Sequence, residues 1–189
     1  MEYELVKREA ENCKKCGLHT TRNNVVWGHG NINAKVMFIG EAPGSQEDLQ
    51  GKPFVGRAGG LLTELLNKID IEREDVFISN IVKCRPPKNR DPTLEEIKVC
   101  YPYLGFQIDY IKPKVIIPLG RHSTKLIMEK YNLNFEGISK EHGRSYKVST
   151  SFGDMFIVPM YHPAAAIYNQ YLKPTLENDF NIIRNLFKS

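Results

Sequence analysis

The sequence predicts an α/β fold, a three-layer sandwich in which helices flank a central, mostly parallel four-stranded sheet. Four short apolar runs are typical of strands that are buried on both faces. Helical patterns separate these runs, and the alternation favours parallel strands joined by helices. The 189 residues are enough for one sizeable core and few for two, so we expect a single domain over residues 1–189.

The predicted elements follow one another along the chain. We expect strands at Lys35–Gly40, Val76–Asn80, Val115–Gly120 and Met155–Met160. A stripe of leucines at helical spacing predicts a helix over Ala58–Ile69. A second helix is expected to begin near Asp91, where a proline and acidic residues match a helix start, and to reach about Ile111. Two further helices are expected over 121–131 and 175–187.

Polar side chains follow three of the predicted strands at the point where each strand ends. Glu41 comes after the first strand, Asn80 ends the second and His162 follows the fourth. Ligands of open parallel sheets bind beyond the carboxyl ends of the strands. We therefore expect these three side chains to meet in one crevice.

The charge balance of the chain is mildly basic. Its 26 Lys and Arg residues exceed its 22 Asp and Glu residues, which gives a net charge of +4 and a pI near 8.8. This permits a polyanionic partner without requiring one, because the strong signal is a basic patch with a pI above ~9. No apolar run approaches the ~18 residues of a membrane-spanning helix, and the charged N-terminus lacks the apolar core of a signal peptide. We expect a cytoplasmic location and no membrane partner.

Four cysteines form the first specific pattern, and without an export signal we expect them to be reduced. Cys13 and Cys16 form a C-x2-C pair in a polar segment, whereas Cys84 and Cys100 come from remote positions. Four unrelated buried thiols are the alternative to a metal site. Four thiolates suit structural zinc or an iron–sulfur cluster, and the spacing favours the cluster only weakly.

Four motifs, together with the cysteine pattern, resemble the family 4 uracil-DNA glycosylases. The motifs are GEAPG at 40–44, GKPFVGRAG at 51–59, NIVKCRPP at 80–87 and HPAA at 162–165. GEAPG alone is a Gly/Pro turn without the spacing of a phosphate-binding loop. The combination, in this order on an α/β frame, spans the chain from about residue 10 to the C-terminus.

The resemblance implies a uracil-DNA glycosylase with a 4Fe–4S cluster. The ligands would be Cys13, Cys16, Cys84 and Cys100. The cluster is expected to order loops beside the DNA, because hydrolysis of a glycosidic bond needs no electron. The implied substrate is uracil in single- or double-stranded DNA, the product is free uracil, and we expect a monomer.

Family positions also imply how uracil is recognised. Asn80 would pair with uracil through its amide, and Phe54 would stack on the flipped base, with a core anchor as the alternative for Phe54. The other residues of the predicted substrate-binding set are Gly40, Ala42 and Glu47. We expect Glu47 either to line the pocket or to support His162.

Two residues carry the implied catalysis. His162 would hydrogen-bond O2 of the departing base, where negative charge develops, but its charge state cannot be read from the sequence. Glu41 matches the family's polar catalytic position and would place an anionic group near the water nucleophile and the sugar cation. The remaining histidines with no motif support are expected on the surface or in packing: His29, His122 and His142.

Two segments are expected to contact DNA. The basic residues of the first are Lys83, Arg85, Lys88 and Arg90, for which a solvated charged face is the alternative to phosphate contact. The second segment, 166–169, resembles the family's loop that enters the duplex, which implies that Ile167 or Tyr168 would insert in place of the flipped base. Packing of a short helix is the alternative.

Three rival classes remain to be separated. Family 5 enzymes lack the acid after the first strand, so Glu41 argues against them. Covalent DNA-trapping relatives carry a basic loop with a nucleophilic histidine before the last strand, and residues 141–144 lack that basic run. A nucleic-acid-binding module with a structural metal would release no free base.

Overall fold

The computed structural model describes residues 2–188. Its strands are β1 (His29–Gly30), β2 (Val36–Gly40), β3 (Phe77–Asn80), β4 (Val115–Pro118), β5 (Tyr146–Thr150) and β6 (Gly153–Ile157). Its helices are α1 (Glu2–Glu11), α2 (Ser45–Gln50), α3 (Arg57–Lys68), α4 (Leu94–Ile111), α5 (Arg121–Lys130), α6 (Ile138–Glu141), α7 (Pro163–Tyr168) and α8 (Lys173–Lys188). Each of these helices is too short or too polar to span a lipid bilayer.

The strands form one sheet in the order β1-β3-β2-β4-β6-β5. The inner four strands are parallel and correspond to the four predicted ones, so the predicted fold class is confirmed. β1 and β5 add antiparallel edges, and the sheet therefore has six strands rather than the predicted four. Neither edge strand has the continuous apolar run of a buried strand, because β1 has only two residues and β5 buries only Val148.

Side chains of β2 alternate between two hydrophobic clusters, one on each face of the sheet. Val36 and Phe38 pack in a cluster with residues of α3, α7 and α8. Met37 and Ile39 pack in a cluster with residues of α4 and α5. Helices therefore cover both faces, as the three-layer prediction requires.

Helix α1 lies outside the predicted set of helices. Its ten residues are mostly polar and bury only Tyr3 and Ala10, so the apolar spacing that reveals a helix is weak. Tyr3 packs with Trp27 in a third cluster, and Trp27 Nε1 donates to its hydroxyl at 2.9 Å. Cys13 and Cys100 pack against this same cluster, so α1 brings two cysteines together.

Helix α4 begins three residues after the predicted start, because Thr93 is its N-cap. Thr93 Oγ1 accepts from Glu96 N at 3.2 Å, and Glu96 Oε2 accepts from Thr93 N at 2.8 Å, which completes a capping box. Arg90 Nη2 pairs with the same carboxylate at 2.7 Å. These bonds fix the segment between Arg90 and Glu96, which contains Asp91.

The carboxyl ends of the inner strands meet at one edge of the sheet. Gly40 is in register with Asn80, and a bridge joins Leu119 to Met160, two residues before His162. The residues that follow β2, β3, β4 and β6 therefore lie on one side of the sheet, as the sequence predicts.

Candidate active site and cysteine pocket

A crevice of about 470 Å³ opens at the carboxyl ends of the inner strands. The predicted residues that line it are Glu41, Ala42, Glu47, Phe54, Asn80, Arg90 and His162. Gly40 lies against these side chains, because a Cβ there would sit 2.8 Å from the Phe54 ring and would collide with Oδ1 of Asn80. The structure thus brings together the predicted catalytic and substrate-binding residues.

Asn80 presents a free amide to the crevice. It is the last residue of β3 and only 2% exposed. Its backbone is held in place, because Ile81 N donates to Gly40 O at 2.9 Å and Lys83 Nζ donates to Asn80 O at 2.9 Å. Within residues 2–188 no hydrogen bond reaches the side-chain amide, so its donor and its acceptor are both available to a ligand.

Phe54 is both a core residue and a wall of the crevice, so its two alternative roles are compatible. Its ring is 7% exposed and stacks on the His162 ring, with 5.4 Å between centroids and 27° between planes. Its φ of +51° is a strained backbone conformation for an aromatic residue. Arg73 supports it, because Nη2 donates to Phe54 O at 2.8 Å and to Pro53 O at 2.7 Å.

Glu47 holds the loop that carries Phe54. Its Oε1 accepts from Val55 N at 3.1 Å and from Gly56 N at 3.2 Å, directly before α3. Its negative charge also opposes the lowering that burial imposes on the His162 pKa. Glu47 therefore lines the crevice, and it acts on His162 through its charge.

His162 is a neutral hydrogen-bond donor. Its Nδ1 accepts from Ala164 N at 3.1 Å and so caps α7. An accepting Nδ1 leaves the ring proton on Nε2. Burial lowers the pKa of His162 to about 4, so the ring carries no charge at neutral pH. The structure thus supplies the charge state that the sequence leaves open.

Glu41 lies beside a histidine that the sequence analysis places outside the site. His122 Nε2 is 3.6 Å from Glu41 Oε2 and 3.1 Å from Asp91 Oδ2, and His122 lines the crevice. Burial raises the pKa of Glu41, His122 lowers it, Asp91 raises it and Arg121 lowers it. His122 is partly exposed, as expected, but it also lines the crevice, which the sequence analysis did not anticipate. Its place just after Gly120, at the end of a predicted strand, was the available signal.

The expectation for the other two histidines is confirmed. His29 is exposed on β1. His142 Nδ1 lies 2.7 Å from Asp179 Oδ2, and its ring packs on Tyr161 with 4.6 Å between centroids. His142 does not line the crevice.

Lys83 is buried and cannot contact DNA, so this prediction was wrong. Its side chain is 1% exposed, and Nζ donates to Asn80 O at 2.9 Å and to Gln107 Oε1 at 2.7 Å. The run of basic residues suggests an exposed surface, but the residues just after β3 still lie in the core. Arg85 is partly exposed and Lys88 and Arg90 are exposed, so these three stay predicted phosphate contacts.

The predicted wedge lies at the end of α7. Tyr168 is 90% exposed, whereas Ile167 is partly buried. Exposure therefore favours Tyr168 over Ile167 for insertion into a duplex, and the wedge itself stays a prediction.

The four cysteines line one small pocket beside α4. Cys13 follows α1, Cys16 precedes a short turn, Cys84 follows β3 and Cys100 lies on α4. All four are free thiols. The meeting of four thiols from three separate segments argues against the alternative of unrelated buried cysteines.

Two N–H groups donate to sulfur in this pocket. Arg22 Nη1 donates to Cys84 Sγ at 3.3 Å, and Lys83 N donates to Cys100 Sγ at 3.3 Å. In the described part of the chain, no three of the sulfur atoms lie within 4.8 Å of one another. Sulfurs bound ~2.3 Å from a tetrahedral zinc would be only ~3.8 Å apart. The sulfur atoms therefore lie farther apart than the four ligands of a zinc site, and a set of four thiols at this spacing fits an iron–sulfur cluster.

Comparison with known proteins identifies the family of the chain. Residues 27–183 match the sequence model of the Uracil DNA glycosylase superfamily. A type-4 uracil-DNA glycosylase of Sulfurisphaera tokodaii is 52% identical over 97% of this chain and 84% of its own length. Enzymes of the same name from Saccharolobus solfataricus and Archaeoglobus fulgidus are 50% and 47% identical, over 98% and 96% of this chain and 87% and 91% of their own lengths. The chain therefore belongs to the uracil-DNA glycosylase superfamily, in its type-4 family.

Proposed function

We propose that the chain hydrolyses the N-glycosidic bond of deoxyuridine in DNA, releasing uracil and leaving an abasic site as the first step of base excision repair. The observation that carries this proposal is the free amide of Asn80 beside the stacked rings of Phe54 and His162. A base inside a duplex cannot enter such a crevice, so the nucleotide is flipped out of the stack.

Asn80 supplies the selection of uracil. Uracil has an acceptor at O4 and a donor at N3–H, and one asparagine amide can donate to the first and accept from the second. Cytosine has the opposite pattern, so a fixed amide would face two mismatched contacts at ~1–3 kcal/mol each when buried. The bond from Lys83 Nζ to Asn80 O supports this fixed position. Phe54 offers the base an apolar face.

His162 and Glu41 act on the bond that breaks. The C1′–N1 bond breaks and its electron pair moves onto the uracil ring, while a water oxygen bonds to C1′. The Nε2–H of His162 donates to uracil O2, where negative charge gathers. The Glu41 carboxylate accepts a proton from the water and faces the positive charge on the sugar. That proton finally neutralises the uracil anion.

A 4Fe–4S cluster on Cys13, Cys16, Cys84 and Cys100 is the second part of the proposal. Its support is a pocket with four thiols, two N–H donors to sulfur and a spacing wider than zinc requires. When bound, the cluster supplies a cross-link between three chain segments. Purified protein should contain iron and sulfide and be brown, and a colourless protein with one zinc per chain would contradict this assignment.

The proposed partner is uracil-containing DNA, single- or double-stranded, bound by a monomer. Arg85, Lys88 and Arg90 would contact phosphates, and Tyr168 or Ile167 would fill the gap left by the flipped base. Affinity should then fall as salt concentration rises, because each phosphate contact releases counterions.

The test is release of free uracil from a labelled oligonucleotide with one deoxyuridine. Wild-type protein should give free uracil and an alkali-labile site, and an oligonucleotide with deoxycytidine at that position should give neither. Asn80→Ala should lose release while still binding abasic DNA. Uracil release at the wild-type rate by Asn80→Ala would overturn the recognition role.

The same assay separates the rival classes. A covalent protein–DNA adduct would indicate a DNA-trapping enzyme, although the contacts of His142 with Asp179 and Tyr161 disfavour it as the nucleophile. Binding of the oligonucleotide without any base release would indicate a non-catalytic binding module.

A further inference from the structure

Three residues from separate segments meet at one side of the crevice. Glu41 follows β2, His122 is the second residue of α5, and Asp91 lies in the segment before α4. Gly120, with a φ of +85°, makes the tight connection from β4 to α5, and a Cβ there would meet Cβ of His162 at 3.1 Å. This turn sets His122 beside the catalytic residues.

One nitrogen of the His122 ring faces both carboxylates. Its Nε2 is 3.6 Å from Glu41 Oε2 and 3.1 Å from Asp91 Oδ2. Asp91 is held from both sides, by the Thr93–Glu96 capping box and by Arg90, whose Nη1 donates to Asp91 O at 3.0 Å. The ring is thus anchored on an ordered segment, and the Asp91 carboxyl also contacts Glu41 directly through a side-chain hydrogen bond.

We propose that His122 and Asp91 are positioning residues that hold the Glu41 carboxylate in its working orientation and set its charge. This inference rests on the proposed function, in which Glu41 accepts a proton from the attacking water. His122 would orient Glu41 through Nε2, and Asp91 would orient both the His122 ring and the Glu41 carboxyl, with which it shares a side-chain hydrogen bond.

Glu41, Asp91 and His122 could instead bind a divalent cation, because their ligand atoms lie within 4.8 Å of one another. The charge around the trio disfavours a cation. Arg121 Nη2 lies 3.1 Å from the same Nε2 of His122, so a guanidinium already occupies this side of the ring. The Asp91 side chain is also 65% exposed. Metal binding is therefore an outcome to be tested rather than the proposal.

His122 and Asp91 have opposite effects on the pKa of Glu41. α5 contributes His122 and Arg121, the segment before α4 contributes Asp91, and the other titratable groups of the crevice are Glu47, Arg90 and His162. Burial raises the pKa of Glu41, His122 and Arg121 counteract that shift, and Asp91 adds to it. Loss of His122 should therefore make Glu41 harder to ionise, and loss of Asp91 should make it easier.

The test is the pH dependence of the single-turnover rate of uracil release. His122→Ala should move the acidic limb of the profile to higher pH, and Asp91→Asn should move it to lower pH. At one pH on the limb we expect rate changes of about threefold in opposite directions, the size typical of partly exposed charge pairs. His29→Ala, at an exposed histidine outside the crevice, is the matched control.

His122→Gln separates orientation from charge. Its amide keeps a donor near the position of Nε2, so His122→Gln should reach the wild-type rate on the pH plateau. Its acidic limb should stay displaced, because the amide carries no charge. Carboxyl ¹³C chemical shifts of Glu41 in the same variants should show the same opposite displacements without any turnover.

Three results would overturn the inference. The acidic limbs of His122→Ala and Asp91→Asn could match that of His29→Ala, or move in the same direction. Inhibition of the wild-type enzyme by zinc, reversed by EDTA and absent in both variants, would identify a metal site instead. A wild-type protein that released no uracil would overturn the proposed function and this inference with it, whereas an active protein with unshifted limbs would overturn the inference alone.

Discussion

Replacement of His162 by alanine removes the N–H that we propose donates to the departing base. With a pKa of about 4, the ring is almost wholly neutral at neutral pH, and its Nδ1 is occupied by Ala164 N. Nε2–H is therefore the one group the side chain offers to the uracil anion. Loss of a single such donor typically lowers the chemical rate by ~100- to 1000-fold, or ~2.7–4 kcal/mol. Binding of uracil DNA should change little, because the contact is made mainly in the transition state.

Single-turnover rates measured by rapid quench, with DNA affinity in parallel, check this prediction. His162→Ala also removes the cap of α7 and the ring stacked on Phe54, so a folding defect has to be separated from a chemical one. His162→Asn is the matched control, since an asparagine oxygen can keep the cap but its short amide does not reach as far as Nε2. Both variants should lose a similar factor in rate, while His162→Asn keeps more of the thermal stability. Cleavage by His162→Ala at the wild-type rate would refute the reasoning.

Four further predictions follow from the geometry. Asn80→Ala should lower the rate of uracil release on the order of 100-fold or more in the same single-turnover assay. Gly40→Ala should displace the Asn80 amide and the Phe54 ring and lower that rate on the order of 100-fold, whereas Gly60→Ala, with no atom within 4 Å of the new Cβ, should not. Cys100→Ala should lower both iron content and the urea midpoint of unfolding, and unchanged values would remove it from the ligand set. Because the folded pKa of His162, about 4, lies below its ordinary value of 6.5, the unfolded chain binds the extra proton and stability falls as pH drops between these values. Urea unfolding should show a smaller fall in His162→Asn.

The inner sheet could be predicted because burial on both faces leaves a continuous apolar run. β2, β3 and β4 are buried at every position, and each was found from its sequence alone. The edge strands carry no such signal, since an edge strand is stabilised by pairing with its neighbour. β5 pairs with β6 along its whole length, yet only Val148 is buried in it. Pairing of this kind depends on the partner strand and cannot be read from one segment.

The site was predictable where a motif residue lies at or shortly after the end of a strand, and less so where a residue there belongs to no motif or has a long side chain. Asn80 ends β3 and His162 follows β6 within a short loop, and both belong to motifs. His122 follows β4 at a similar distance but was missed for want of a motif. Lys83 illustrates the opposite error. Its charge indicated a surface role, but its long side chain reaches Asn80 O and Gln107 inside the protein. Charge predicts exposure only where no buried acceptors lie within reach.

The segment from Asn80 to Cys84 joins the crevice to the cysteine pocket. Its first residue presents the free amide to the crevice, and its last lines the pocket of the four thiols. Between them, Lys83 contacts both sites, because Nζ donates to Asn80 O at 2.9 Å and its backbone N donates to Cys100 Sγ at 3.3 Å. A structural change in the cysteine pocket can therefore reach, through Lys83, the Asn80 amide that we propose selects uracil. If the proposed cluster cross-links the cysteine segments, this connection explains why a group that takes part in no redox step lies beside a hydrolytic site.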